Sequence, residues 1–209
     1  MGTPLVTEPT ATRPTDQSAR TEPGTDGTER AVASLVVAFA ADPVVRWFFP
    51  DTAHYLTAFP EVLRVTSDEA TPAGTIDLPG DGAGAAIWHQ PGTTSPDEAL
   101  AAVIATHIPT SRHGEAFGLL EQMSVHHPDS ETVWYLPFMG VDPTRQGRGH
   151  GSALLQGGLA RADRDGLPAY LEATNPRNRA LYERHGFEVT GEIQVADSPP
   201  LWPMLRRPR

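Results

Sequence analysis

The chain has 209 residues, a formal net charge of −10 at neutral pH and no cysteine. This length suits one domain with a proper core, and the lack of cysteine excludes a disulfide framework, which is compatible with the cytoplasmic location that we expect. The acidic balance argues against general binding to nucleic acid or to a membrane surface, because both need a basic face. The first residues lack the pattern of a signal peptide, and no apolar run is long enough to cross a bilayer.

The N-terminal segment differs in composition from the rest of the chain. Residues 1–28 are rich in Thr, Pro, Glu, Asp and Gly and contain no aromatic residue. Such a segment buries too little apolar surface to order itself. We therefore predict a disordered tail over residues 1–28 and a single folded domain over residues 29–209.

The first half of the domain reads as helices followed by a hairpin and two more helices. Apolar residues at helical spacing predict helices over residues 31–41, 44–49 and 55–65. Two strands, near residues 74–77 and 83–89, flank a Pro-Gly-Asp-Gly turn at residues 79–82, which predicts a hairpin. Helices near residues 96–108 and 114–124 follow.

The second half alternates strands and helices. A strand ends at Val141, and a helix opens near Ser152 and stops at Gly166. A strand over residues 168–173 leads to a short helix with Asn175 as N-cap, and that helix ends at Gly186. Strands over residues 187–193 and 201–205 complete the domain. This order predicts an α/β architecture, a mixed sheet with helices on both faces.

The segment between Val141 and Ser152 is a candidate anion-binding loop. Glycines at 147, 149 and 151 allow positive φ angles and a close approach of the backbone to a ligand. Amides at the start of the next helix would point at an anion, and Arg145 and Arg148 could add charged contacts. A turn that merely joins strand to helix is the alternative. A Walker A loop is excluded because no lysine precedes Ser152, and a dinucleotide fingerprint is excluded because the third glycine is missing from its required place.

Two motifs resemble those of the GNAT superfamily of N-acetyltransferases. The loop pattern Gln/Arg-x-x-Gly-x-Gly/Ala is met by residues 146–151, and the pattern Leu-Tyr-Glu-x-x-Gly-Phe is met by residues 181–187. Within the superfamily, the chain is similar to puromycin N-acetyltransferase and its bacterial relatives, over about residues 30–205 and most specifically in the second half. The resemblance implies a mostly antiparallel central sheet, in which a parallel pair of strands splays apart to bind CoA. No convincing strand precedes Glu29, so the family's first strand is expected to be short, displaced or absent.

The resemblance also implies acetyl-CoA as the acyl donor. No histidine spacing suggests a metal site and cysteine is absent, so we expect no metal. Pantetheine would pair with backbone groups of Met139 and Val141, and the pyrophosphate would lie on the amides of residues 147–152. An asparagine would contact pantetheine, and both Asn175 and Asn178 match that position. The predicted cofactor-binding residues are Met139, Gly140, Val141, Arg145, Gln146, Gly147, Arg148, Gly149, His150, Gly151, Ser152, Asn175 and Asn178.

For catalysis, Tyr182 matches the family tyrosine near the sulfur. Because a phenol has a pKa of about 10 and a thiol of about 8.5, we expect Tyr182 to hydrogen-bond the departing thiolate or to relay a proton. An amine acceptor must also lose a proton. Glu172, at the end of a strand that faces the cofactor gap, is the first candidate for the base, and a structural carboxylate at a strand end is the alternative. Glu121, His126 and His127 are further options.

The acceptor site is expected opposite the cofactor, among the first helices and the late strands. The candidate residues there are Asp42, Trp47, Phe48, Phe49, Trp88 and Trp202. Aromatic walls with one carboxylate suit an aminonucleoside or another aromatic amine, so we predict acetylation of a primary amine of a small molecule, with antibiotic resistance as an example. The alternatives are a protein or peptide amine as acceptor, or a non-catalytic CoA-binding sensor. The chain is expected to act as a monomer or a homodimer, without a nucleic-acid or membrane partner.

Overall fold

The computed structural model describes residues 19–21, 25–70 and 75–209. The strands in chain order are β1 (Ala19–Thr21), β2 (Ile76–Pro79), β3 (Gly84–His89), β4 (Trp134–Val141), β5 (Ala169–Ala173), β6 (Glu188–Val189) and β7 (Trp202–Arg206). The helices are α1 (Thr25–Ala38), α2 (Pro43–Phe48), α3 (Thr52–Ala70), α4 (Asp97–His107), α5 (His113–His126), α6 (His150–Asp165) and α7 (Pro176–Arg184).

The strands form one mixed sheet in the order β1-β2-β3-β4-β5-β7-β6. Among the strands of the described residues, only β4 and β5 pair in parallel, and every other neighbouring pair is antiparallel. The turn after β2 closes the predicted hairpin, with the Gly82 amide donating to the Pro79 carbonyl at 2.9 Å. This arrangement confirms the predicted α/β fold with a mostly antiparallel sheet.

The parallel pair separates along its length. β4 and β5 pair only at Trp134 with Ala169 and at Tyr135 with Tyr170, although β4 continues to Val141. A bulge lies at the point of separation, because Trp88 on β3 stands opposite two residues of β4, Leu136 and Pro137. Proline has no amide to donate to a ladder, and a bulge tolerates it. The sheet is therefore open between the C-terminal halves of β4 and β5.

Helices cover both faces of the sheet, and strand alternation separates the two cores. Ile87 packs with α1, α3, α4 and α5, whereas its neighbour Trp88 packs with α6 on the opposite face. Gly158 on α6 makes the second contact possible, because a Cβ there would lie 1.9 Å from the Trp88 ring. A buried ion pair joins the same helix to β2, with Arg161 Nη2 lying 2.6 Å from Asp77 Oδ2.

Residues 19–21 form β1 and α1 begins at Thr25, so two elements lie within residues 1–28, the segment that was predicted to be a tail. The first strand, which was expected to be short, displaced or absent, is thus a short strand at the sheet edge. Residues 1–18 and 22–24 are outside the described part. Gly74, expected in the first hairpin strand, is also outside it.

The strand predicted over residues 187–193 is reduced to β6 at Glu188–Val189, followed by a single bridge from Ile193 to Leu201. The Thr190 amide still donates to the Pro203 carbonyl at 2.9 Å. Pro203 has no N–H to donate to the Thr190 carbonyl, so the hydrogen-bond ladder between β6 and β7 stops there. Over residues 25–70 and 75–209, none of the helices is both long and apolar enough to span a bilayer.

Candidate active site

A groove of about 610 Å³ opens where β4 and β5 separate. Its walls come from the C-terminal ends of α1 and β4, the glycine-rich loop, the start of α6, and α7. Gly140 allows α1 and β4 to pack closely, because a Cβ at this position would lie 2.5 Å from the Cβ of Ala38. The groove thus joins most of the residues that were predicted to bind the cofactor.

The β4 edge of the groove presents backbone groups. The Asp142 amide donates to the Ala83 carbonyl, on the β3 side, at 2.9 Å. Because successive amides of a strand alternate in direction, the amides of Met139 and Val141 point away from β3 into the gap. Gln146 Nε2 donates to the Val141 carbonyl at 3.1 Å. The gap therefore offers the amides of Met139 and Val141 as donors to an extended amide chain.

The loop after β4 has the backbone geometry of an anion site. Asp142 caps a short 3-10 turn by accepting the Thr144 amide at 2.8 Å. Gly147 and Gly149 then have φ angles of 76° and 90°, which glycine adopts without strain. Gly149 is the N-cap of α6 and has no side chain to satisfy the first amides. Those amides remain available to an anion.

Two of the predicted cofactor-binding residues, Arg145 and Arg148, do not line the groove. Arg145 donates to the Asp81 carbonyl at 2.9 Å and lies 3.4 Å from its carboxylate, so it holds the β2–β3 turn. Arg148 is exposed and does not line the groove. Arg177 and Arg184, both on α7, line the groove instead. The sequence feature that could have indicated these two arginines is the basic character of α7, the helix that contains Tyr182.

α7 brings the predicted asparagines and tyrosine to the groove. Asn175 is the N-cap, and its side-chain oxygen accepts the Asn178 amide at 2.9 Å. Both asparagines and Tyr182 line the groove, and Tyr182 is 6 % exposed. Burial first, and the charge of Asp42 second, raise the pKa of Tyr182. The phenol therefore stays protonated and is a hydrogen-bond donor at neutral pH.

A second cavity, of about 590 Å³, lies on the face of the sheet that is covered by α1 to α5. Its walls are mostly apolar and aromatic. The aromatic residues among them are Phe39, Phe48, Phe49, Phe59, Phe117, Tyr135 and Phe138.

The groove and the second cavity meet where β4 and β5 separate. Phe39 lines both of them, and neighbours in the chain lie on opposite sides of the boundary, Phe138 beside Met139 and Thr174 beside Asn175. A group held in the groove is therefore adjacent to the apolar cavity where β4 and β5 separate.

Glu172 lines the second cavity close to this boundary. Its Oε2 accepts a hydrogen bond from the Tyr135 hydroxyl at 3.0 Å, and its Oε1 is inaccessible to solvent and has no hydrogen-bond partner among the described residues. Burial raises the pKa of Glu172 to about 7, against the opposing effect of the Tyr135 and Tyr170 hydroxyls. A carboxyl group that titrates near neutrality can take up and release a proton.

The other candidates for the base are arranged differently. Glu121 lines the cavity and is exposed. His127 lines it as well, and its ring packs edge-on against Tyr135 and Tyr170, with centroids 4.6 and 4.9 Å apart. His126 Nδ1 lies 2.8 Å from the Gln122 carbonyl, and the residue is not part of the lining.

Of the aromatic candidates for the acceptor site, Phe48 and Phe49 line the cavity. Trp88 lies on the opposite face of the sheet, because residues alternate along β3. Trp47 donates its indole N–H to Asp197 at 2.9 Å, and Trp202 donates to Glu192 at 3.0 Å. Neither of these two indoles is part of the cavity lining.

Asp42 lines the groove rather than the cavity. Its carboxylate accepts the amides of Val44 and Val45 at 3.0 and 3.1 Å and the Thr174 hydroxyl at 2.5 Å. Asp42 is thereby the N-cap of α2 and joins that helix to the end of β5.

Comparisons with known proteins agree with this geometry. The model of the Acetyltransferase (GNAT) family matches residues 85–187, from β3 through the glycine-rich loop to the end of the tyrosine motif. The chain belongs to the GNAT superfamily. An uncharacterized N-acetyltransferase of Schizosaccharomyces pombe is 26% identical over 203 residues, covering 86% of this chain and 79% of the yeast protein.

Solved structures of GNAT proteins share the fold. A protein from Corynebacterium glutamicum, described as histone acetyltransferase HPA2 and related acetyltransferase, has a TM-score of 0.63 and 26% identity, over 92% of this chain and 97% of that one. Arylalkylamine N-acetyltransferase 2 from Aedes aegypti has a TM-score of 0.64 and 17% identity, over 91% and 99%. This GNAT protein is an acyltransferase, and its family uses acetyl-CoA as co-substrate.

Proposed function

We propose that this protein transfers the acetyl group of acetyl-CoA to a primary amine of a small molecule. The observation that carries the proposal is the contact between the groove and the mostly apolar cavity at the separation of β4 and β5. A cavity of about 590 Å³ has the size of a site for a drug-sized ligand. A protein or peptide amine is the alternative acceptor.

The groove residues are suited to hold the CoA portion. The outward amides of Met139 and Val141 would pair with the pantetheine amides, and the free amides at the start of α6 would receive the pyrophosphate. Arg177 and Arg184 replace Arg145 and Arg148 as the cations of this site in our proposal. Of the two asparagines, Asn178 is the better candidate for a pantetheine contact, since the Asn175 oxygen is used for capping.

Glu172 is the proposed general base, and Tyr182 the proposed hydrogen-bond donor to sulfur. The amine loses a proton to Glu172 as its nitrogen forms a bond to the acetyl carbonyl carbon, and the carbon–sulfur bond then breaks. The sulfur leaves as thiolate and accepts a hydrogen bond from the Tyr182 hydroxyl, whose raised pKa keeps it protonated. Amides at the β4 edge would stabilise the oxyanion.

The proposal predicts CoA thiol release from acetyl-CoA in the presence of amines, measured across a panel led by puromycin. For an accepted amine, Tyr182→Phe should lower kcat by about 100-fold or more, because a general-acid or hydrogen-bonding group contributes about 10²–10⁴ to rate. Affinity for acetyl-CoA should remain close to that of the wild type. Unchanged turnover in Tyr182→Phe would exclude its role, and acetyl-CoA binding without thiol release for any amine would favour the sensor alternative.

A further inference from the structure

The charged groups of the acceptor cavity all have the same sign. Asp97, Glu121 and Glu172 belong to its lining, and no lysine or arginine among the described residues does. Two histidines also belong to the lining, and each has a ring nitrogen at a backbone carbonyl: His89 Nε2 lies 2.9 Å from Thr66 O, and His127 Nδ1 lies 2.7 Å from Pro128 O. A carbonyl only accepts, so these nitrogens donate to the protein.

The helix ends that border the cavity reinforce the same polarity. α4 begins at the mouth of the cavity, and the N-terminus of a helix attracts an anion. Here the side chains of Asp97 and Glu98 already supply negative charge in the first turn. The Ser95 hydroxyl donates to the Asp97 carboxylate. α5 ends at the cavity, with His127 as its C-cap. The C-terminus of a helix carries partial negative charge and favours a cation.

The cavity is mostly apolar, and no cationic side chain among the described residues lines it, so an anionic group of the ligand would lose hydration without an opposite charge to pair with. Such a group would meet three carboxylates as well. Burying an unpaired carboxylate is strongly unfavourable, and like charges add to the cost. An ammonium can pair with the carboxylates of the lining, and a neutral amine carries no charge to desolvate.

We propose that the acceptor is an aromatic primary amine that carries no carboxylate or phosphate group. This specificity rests on the proposed acetyl transfer and narrows its substrate class. Free amino acids and nucleotide amines are excluded as acceptors, whereas amines whose carboxyl group is blocked as an amide are accepted. Asp97 and Glu121 at the exposed mouth set this selectivity.

The test compares phenylalaninamide with phenylalanine at pH 8. The two compounds have the same ring and the same α-amine position. The carboxyl group is an amide in the first compound and a free carboxylate in the second. We expect kcat/KM for acetyl-CoA-dependent thiol release to be at least about 100-fold higher with the amide, since one unpaired buried charge has at least this effect. Equal values for the two compounds would overturn the inference and leave acetyl transfer intact.

Single substitutions test which carboxylates produce the selectivity. Asp97→Asn and Glu121→Gln should each reduce the preference for the amide several-fold, because each removes one repulsive charge. Glu98→Gln is the matched control: it lies in the same first turn of α4, is exposed and does not line the cavity. A change in Glu98→Gln as large as that in Asp97→Asn would show a general charge effect and contradict the assignment to the mouth.

Binding separates failure of the inference from failure of the proposed function. Calorimetry of the full-length protein saturated with CoA measures the affinity of each compound without any chemistry. Binding of phenylalaninamide but not phenylalanine, with no thiol release from either, would support the charge selectivity and reject catalysis. Equal binding of both compounds, or binding of neither, would overturn the selectivity itself.

Discussion

At the scale of single residues, Glu172 combines two properties that a base needs. It lines the cavity in which an amine would lie, and burial raises its pKa to about 7. The sequence indicated Glu172 from its position at the end of a strand. The pKa depends on Tyr135, on Tyr170 and on the surrounding apolar walls, and these come together only in the fold.

Glu172→Gln should lower kcat by about 10²–10⁴. With an accepted amine, the wild-type kcat/KM should rise with pH up to about 7, as the carboxyl group loses its proton, and this limb should be missing from the variant. The pH profile of thiol release measures both effects. Glu188→Gln, an exposed carboxylate on β6, is the control and should keep the limb. A limb that persists in Glu172→Gln would assign the base elsewhere, with His127 the next residue to change.

The same variant should be more stable than the wild type above neutral pH. The folded protein holds a proton on Glu172 up to about pH 7, whereas the unfolded chain loses it near the ordinary value of 4.5. Wild-type stability therefore falls as pH rises through this window, by up to about 3 kcal/mol, and the glutamine variant lacks this loss. Denaturant unfolding at pH 5 and pH 8 measures the difference, and equal stabilities at pH 8 would contradict a buried charge.

At the scale of elements, the glycine-rich loop and the first turn of α6 together form the proposed anion site. Gly149 has a φ angle of 90° and leaves the first amides of α6 without a capping side chain. Any residue with a Cβ is strained in this conformation. The loop motif could be predicted from the sequence because its positive φ angles require glycine at fixed positions.

Acetyl-CoA at about 100 times its Kd should stabilise the wild type by about 2.7 kcal/mol, which is about 5–10 °C in Tm for a domain of this size. In Gly149→Ala this shift should be largely lost, because the amides would no longer face the anion. Gly166→Ala is the matched control: Gly166 has a φ of 68° at the other end of α6, away from the groove. Both variants should lose intrinsic stability, and an equal ligand shift in both would exclude the loop as the anion site.

At the scale of the whole molecule, α6 and the helices of the other face hold the sheet between two cores. Trp88, wholly buried, fills the α6 side, and Gly158 provides the space for its ring. Trp88 was predicted in the acceptor site because its type suits a pocket. Its position along β3 turns it to the other face, so it contributes to packing.

Gly158→Ala should therefore lower Tm, even though alanine favours a helix more than glycine does. A Cβ 1.9 Å from the Trp88 ring forces that ring or α6 to move, at a cost of about 1–3 kcal/mol or more. In Gly118→Ala, on α5, the nearest side-chain atom is 3.5 Å away. We expect that control to gain up to about 1 kcal/mol. Thermal unfolding measures both, and a gain in Gly158→Ala would contradict the close packing.

The sequence by itself determined the fold class, the glycine-rich loop and the helix that contains Tyr182. These features depend on local rules, such as glycine at positive φ, a capping asparagine and apolar periodicity, which act over a few residues. Local pattern also placed Glu172 at a strand end.

The tertiary structure decided which side chains share each cavity. It assigned Arg145 to Asp81, brought Arg177 and Arg184 to the groove and placed Trp88 away from the acceptor cavity. It also joined Asp97, Glu121 and Glu172, from three separate elements, in one apolar cavity. Asp97 and Glu172 are 75 positions apart in the chain, and Trp47 and Asp197, which share a hydrogen bond, are 150 apart. Such arrangements arise from helix packing and strand register, which no short stretch of sequence specifies.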